Sequence, residues 1–183
     1  SVLGNYAFKD CVSVEKINTY AFNNATETGE IFADETNEVI GADNKVQVAI
    51  VYFESNPNQF YGCTTLADAI ASMVKHNGTG IRITKDIELD KPVAVAKDQT
   101  IVIDLNGHNI TMESTSEGSV ELFIVNGNLN VIGEGTISLT GDNFPWNASY
   151  RYAAINVRET GVVTLGNGVE VICEASKDGA YGM

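Results

Sequence analysis

The chain has 183 residues, 44% of them hydrophobic, with 17 Gly, 3 Pro and a net charge of −13. That is enough apolar material to build a core in one domain or two small ones, which excludes wholesale disorder. With 24 acidic residues against 11 basic ones, neither phosphate-mediated binding of DNA or RNA nor docking on an anionic membrane is expected, because both need clustered Lys and Arg.

Acidity is spread along the chain: residues 1–60 carry nine acidic and three basic side chains, residues 61–183 fifteen and eight. Cys11, Cys63 and Cys173 are far apart and odd in number, with no Cys-x-x-Cys. Neither a zinc site nor a disulfide framework is implied, and no cofactor or metal is expected. Three isolated cysteines suit folding in a reducing cytosol. The opening residues show no basic region and no apolar stretch of a secretion signal. The longest strongly apolar run, Val48 to Phe53, is far too short to span a bilayer.

In chain order, short alternating runs come first, at Val12–Val14, Glu30–Ala33, Glu38–Ile40 and Gln47–Phe53, separated by polar stretches. They predict a small antiparallel β module over 1–60, closed by a turn at Ser55–Asn58. A helix follows within 61–78. Thr65 is its N-cap, and Asp68 completes a capping box with Asp in place of Glu. Leu66, Ala69, Ile70, Met73 and Val74 form one apolar face, and Asn77-Gly78 stops the helix. It is too short to stand alone, so it is expected to cap the structure that follows.

From residue 79 to 183 the pattern is strand, turn, strand. Ile81, Ile83, Ile87, Leu89, Val93, Val95, Ile101, Ile103, Leu105, Ile110 and Met112 alternate with polar neighbours. The stretch from Thr100 to Val171 repeats this, with Gly and Asn at the turns and no helix between. Ile101 to Phe123 spans 22 residues and Phe123 to Ala154 spans 31, while Gly133-x-Gly135 and Gly166-x-Gly168 are 33 apart. Stacked coils of 20 to 30 residues predict a solenoid, in which each coil buries one face only against its neighbours. The run Gly179–Met183 reads as the start of another strand, so the coils are expected to continue.

The segments Asp104-Leu-Asn-Gly-His108 and Gly127-Asn-Leu-Asn-Val-Ile-Gly-Glu-Gly-Thr-Ile137 resemble right-handed parallel β-helix proteins of the pectate-lyase-like superfamily. The expected fold is therefore mainly β: a small N-terminal β module, one capping α-helix, then a right-handed parallel β-helix. The segment from Asn5 through Tyr6, Phe8 and Lys9 to Asp10 resembles the start of phage head-fibre or decoration proteins. That resemblance implies a virion structural protein, made in the host cytoplasm, anchored through those five residues and projecting the β-helix. It implies capsid or other virion proteins as partners, a homotrimer, and a host-surface glycan as a further contact. A polysaccharide-degrading depolymerase tailspike or lyase is the rival of a different class. A bacterial surface adhesin, extracellular, is the other.

Catalysis in this fold would need carboxylates or a base converging on one outward face. The candidates are Asp104 and His108 on one coil, Glu121 and Glu134 on the next, and Arg158, Glu159, Glu170 and Glu174 on the third. No Asp-Asp pair or Arg-x-Lys motif occurs, so no catalytic residue is assigned. Asp104 and His108 read more simply as the edges of a tight Asn106-Gly107 turn. Asn106, Asn126, Asn128 and Asn130 read as ladders between stacked coils rather than ligand contacts. His76 reads as a favourable charge at a helix C-terminus. The best binding candidate is a lateral loop with Asp142, Asn143, Trp146, Asn147, Tyr150, Arg151 and Tyr152. Its aromatic faces beside polar groups suit a protein interface, packing on the wall, or a sugar ring.

Overall fold

The structure, a computed structural model, describes residues 39–40, 46–56, 60–114, 119–141 and 151–175. The described residues form fifteen strands and one helix, so the protein is mainly β. Two compact units divide after Lys85. The anchoring candidates Asn5, Tyr6, Phe8, Lys9 and Asp10 lie outside the described residues, as do the expected strands at 12–14 and 30–33.

In the first unit, β1 (Val39–Ile40) pairs antiparallel with β2 (Val46–Gln47). The chain bends at Val48, and β3 (Ala49–Tyr52) then pairs antiparallel with both β4 (Phe60–Cys63) and β5 (Gly80–Ile83). The sequence reading placed Gly80–Ile83 at the start of the stacked coils. It instead completes an antiparallel sheet, because the chain returns beside β3 after a single helix.

That helix, α1 (Leu66–His76), follows the expected logic closely. The Thr65 Oγ1 accepts a hydrogen bond from the Asp68 backbone N–H at 3.0 Å and donates one to Asp68 Oδ2 at 2.8 Å. Asn77 adopts the left-handed conformation at φ 53°, and the Gly78 N–H donates to the Met73 carbonyl at 2.9 Å. Leu66, Ala69, Ile70 and Met73 are buried, and α1 lies against β3, β4 and β5 of its own unit. Val74, expected on the same face, is 46% exposed. The covered stripe is one column narrower than the apolar pattern. His76 stacks on Tyr61 with ring centroids 4.2 Å apart, a contact the dipole reading did not foresee.

The second unit runs β6 (Ile87–Leu89), β7 (Val93–Val95), β8 (Thr100–Asp104), β9 (Ile110–Ser114), β10 (Val120–Val125), β11 (Asn128–Ile132), β12 (Gly135–Gly141), β13 (Tyr152–Val157), β14 (Val162–Leu165) and β15 (Val169–Ala175). Every pairing recorded within it is parallel. Strand β10 lies between β7 and β13, β11 between β8 and β14, and β6, β9, β12 and β15 follow one another in a third sheet. Each strand thus pairs with the strand three places along the chain. These parallel sheets are compatible with a β-helix-like solenoid.

Register turns the alternating pattern into stacked apolar columns. Ile101 sits beside Leu129 and Leu129 beside Val163; Ile103 sits beside Val131 and Val131 beside Leu165. In the third sheet Ile87, Ile110, Ile137 and Val171 form one column. Ile101, Ile103, Leu129, Val131, Ile110 and Ile137 are essentially inaccessible, each burial contributing about 1.5–3 kcal/mol. Exposure rises in the last described turn, to 48% at Val157, 46% at Leu165 and 38% at Val171.

The coil lengths read from sequence need correction. Ile101 pairs with Leu129, not Phe123, and Phe123 pairs with Val93 and Ile155. A turn contains three strands; Phe123 lies in the first of its turn and Ile101 in the second of the preceding one. Paired residues are 23 apart between Ile87 and Ile110, 28 between Thr100 and Asn128, and 34 between Asn128 and Val162. The two glycine pairs do fall at equivalent connections, with the Gly135 N–H donating to the Gly168 carbonyl at 3.2 Å.

Candidate ligand-binding cleft

Three connections of the second unit stack on one another: residues 96–99 after β7, Asn126-Gly127 after β10, and 158–161 after β13. Backbone bonds hold the stack. The Asn126 N–H donates to the Val95 carbonyl at 2.9 Å, and the Arg158 N–H to the Val125 carbonyl at 2.8 Å. On the far side the Asn128 N–H donates to the Gln99 carbonyl and the Val162 N–H to the Gly127 carbonyl, both at 2.8 Å. The middle connection is only two residues long and lies tight on its neighbour. A Cβ at residue 127 would sit 2.1 Å from the Ala96 carbonyl oxygen and 2.4 Å from that of Gln99, so only glycine fits.

These connections, with strand β13, line a cleft of about 570 Å³. Its polar lining is Lys97, Asn126, Arg151, Asn156, Arg158, Glu159 and Thr160. Three of the chain's 11 basic residues meet here, opposed within the lining by Glu159 alone. Lys97 and Arg151 are exposed, and among the described residues they have no ion-pair partner. The Thr160 hydroxyl donates to the Asn126 carbonyl at 2.7 Å, tying the second connection to the third.

Glu121 lies beside this cleft, on β10. It is only 7% exposed, among buried Val120, Leu122 and Phe123. Its carboxylate accepts from Arg158 Nη2 at 2.8 Å through Oε2 and from Asn156 Nδ2 through Oε1. A carboxylate leaves water only at a cost of several kcal/mol, so these two donors are what make its burial tolerable. In return, one edge of the Arg158 guanidinium is held in place.

The other sequence candidates lie elsewhere. Asp104 ends β8, and its Oδ1 accepts from the Asn106 N–H at 3.1 Å. Asn106 and Gly107 have φ of 51° and 84°, and the His108 N–H closes the turn onto the Leu105 carbonyl at 2.9 Å. The turn reading of Asp104 is therefore the one observed. His108 Nδ1 lies 3.5 Å from Asp86 Oδ1, which also accepts from the Asn109 N–H at 2.8 Å. The Asn109 Oδ1 accepts from Thr136 N–H at 3.0 Å, and Asn128 Nδ2 donates to Thr100 Oγ1 at 3.2 Å. These last two bonds join successive turns. Of the lateral loop, Asp142, Asn143, Trp146, Asn147 and Tyr150 lie outside the described residues. Arg151 lines the cleft; Tyr152 begins β13 and is not in its lining.

Sequence reasoning singled out Arg151, Arg158 and Glu121 but missed Lys97, Asn156 and Thr160. Residues 97, 126 and 158 are about thirty apart, and only the correct three-strand register superimposes them. Among the described residues no group of three or more His, Cys, Asp and Glu is placed to hold a metal, and no helix is long and apolar enough to cross a membrane.

The fold and cleft define a mainly β protein with stacked parallel sheets and a cation-rich cleft over three stacked connections. Comparison with protein-family models, curated proteins and solved structures gave no match.

Proposed function

We propose that the chain is a non-enzymatic attachment rod, its parallel sheets wound as a right-handed β-helix. Parallel crossover connections are right-handed in about 98% of cases, which supports that winding. The observation that carries the reading is where the polar side chains go. Asn109 and Thr136, Asn128 and Thr100, Thr160 and Asn126, and Arg158 and Glu121 each bond one turn to the next. Side chains consumed in joining turns build a stiff wall. On the resemblance of its opening residues, the rod is a virion protein of the head-fibre or decoration kind. Residues 1–60 would then hold it to the particle, with a homotrimeric assembly and a host-surface glycan as its contact.

The test is where the protein is found. Antibodies raised against the chain should label purified phage particles, which should contain it in many copies. Recovery in the cell envelope alone, with none in particles, overturns the virion reading and leaves the adhesin. The pairing of Glu121 with Arg158 beside a cleft favours a second reading, a depolymerase. Release of reducing or unsaturated ends from a polysaccharide by the purified chain, abolished in Arg158→Gln, would establish it.

A further inference from the structure

A chain with a net charge of −13 has little reason to gather cations unless something anionic is held there. Lys97, Arg151 and Arg158 line one cleft against a single lining carboxylate, Glu159. Solvation alone would scatter them, and ion pairing does not explain Lys97 or Arg151, which have no such partner among the described residues. Arg158 is anchored through Nη2 to the buried Glu121, leaving the rest of its guanidinium to meet an oxyanion.

The arrangement also has a direction. Lys97 belongs to the first of the three stacked connections and Arg158 to the third. Parallel strands repeat about every 4.8 Å, so the two connections are about 10 Å apart along the stack. A lone small anion does not need that length, whereas a linear ligand with charges at intervals uses it. Between the cations lie Asn126, Asn156 and Thr160, amide and hydroxyl groups suited to sugar hydroxyls. The lining holds no aromatic ring on which a base or a neutral sugar would stack.

We propose that this cleft binds a linear glycan bearing oxyanion groups, laid along the three stacked connections. This deepens the attachment reading and rests on it for its setting only. A cleft that binds nothing would refute it while leaving the rod's place in a virion untouched, and the reverse also holds.

The experiment is calorimetric titration of the purified 183-residue chain at near-physiological salt, where loose surface attraction is largely screened. The probes are polygalacturonate, dextran sulfate, a phosphomannan, neutral dextran and single-stranded DNA. At least one of the three acidic glycans should bind and neutral dextran should not; the acidic arms show whether the oxyanion is carboxylate, sulfate or phosphate. Lys97→Gln and Arg151→Gln should each weaken that binding about tenfold, the worth of one charge-assisted hydrogen bond. Glu159→Gln should strengthen it about threefold. Lys91→Gln, outside the cleft, should leave it unchanged. Melting points should match the parent, since Lys97, Arg151 and Glu159 are exposed. Equal binding of neutral dextran, equal or tighter binding of DNA, no acidic glycan bound, or cleft variants that bind like the parent would each overturn the proposal.

Discussion

Replacing Arg158 by Ala tests whether the buried carboxylate depends on it. Glu121 would keep the Asn156 donor and lose the guanidinium at 2.8 Å. At an effective dielectric constant of about 20, a pair this close attracts by roughly 6 kcal/mol gross. The Arg158 side chain is 40% exposed and that of Glu121 9%, so water screens the cation and part of the attraction is lost. Stranding a nearly buried acceptor costs about 1–3 kcal/mol, and a net loss of about 2 kcal/mol is expected for Arg158→Ala. Glu121→Gln keeps the shape and removes the charge. In the double variant no stranded carboxylate remains, so its loss should be at least about 1 kcal/mol smaller than the sum of the two single losses. Guanidinium unfolding curves of the four proteins give these values. Losses that add within about 0.5 kcal/mol, or an Arg158→Ala protein as stable as the parent, would refute the reasoning.

Gly127→Ala should destabilise the second unit by more than about 3 kcal/mol or prevent its folding, because the new methyl meets two backbone carbonyls that cannot move aside. Gly107→Ala meets open space and should lose only the about 1–2 kcal/mol of a left-handed residue; a larger loss there than at 127, by denaturant titration, would contradict the close-approach argument. Thr65→Ala removes the N-cap bond of α1 and should cost about 1 kcal/mol, seen as a lower melting temperature. Burial, aided by the charge of Asp68, pushes the Cys63 thiol up to about 11, and burial also raises that of the more exposed Cys173. At pH 8 the Cys63 thiolate is scarce in the native protein, so Ellman's reagent should modify Cys173 first and Cys63 only after denaturation. Early loss of the Cys63 thiol would show that α1 does not shield it.

What was legible in the sequence was local. Thr65, Asp68 and Asn77 announce α1 because capping depends on residues three or four apart. The alternation of Ile101, Ile103 and Leu105 announces a buried strand face for the same reason. The pairing was not legible, because the connections differ in length: four residues at 96–99, two at 126–127 and four at 158–161. A fixed period therefore matched Ile101 to the wrong strand. The cleft inherits that difficulty. Nothing near Lys97 marks it as a neighbour of Arg158; they meet only because two turns of chain bring their connections into one stack. Glu121 was visible as a candidate, but its burial among Val120, Leu122 and Phe123 breaks the simple in-and-out pattern expected of a strand.

The unequal spacing of paired residues has a consequence for how the chain could change. Partners lie 23 residues apart at the start and 34 at the end, yet the columns of apolar side chains stay in step. Closing the longer loop instead of the shorter costs about 0.3 kcal/mol more, since the entropy grows only with the logarithm of length. Extra residues between turns are thus nearly free, provided they leave at a connection and return in register. A rod of this kind can acquire new surface one loop at a time while its interior stays the same.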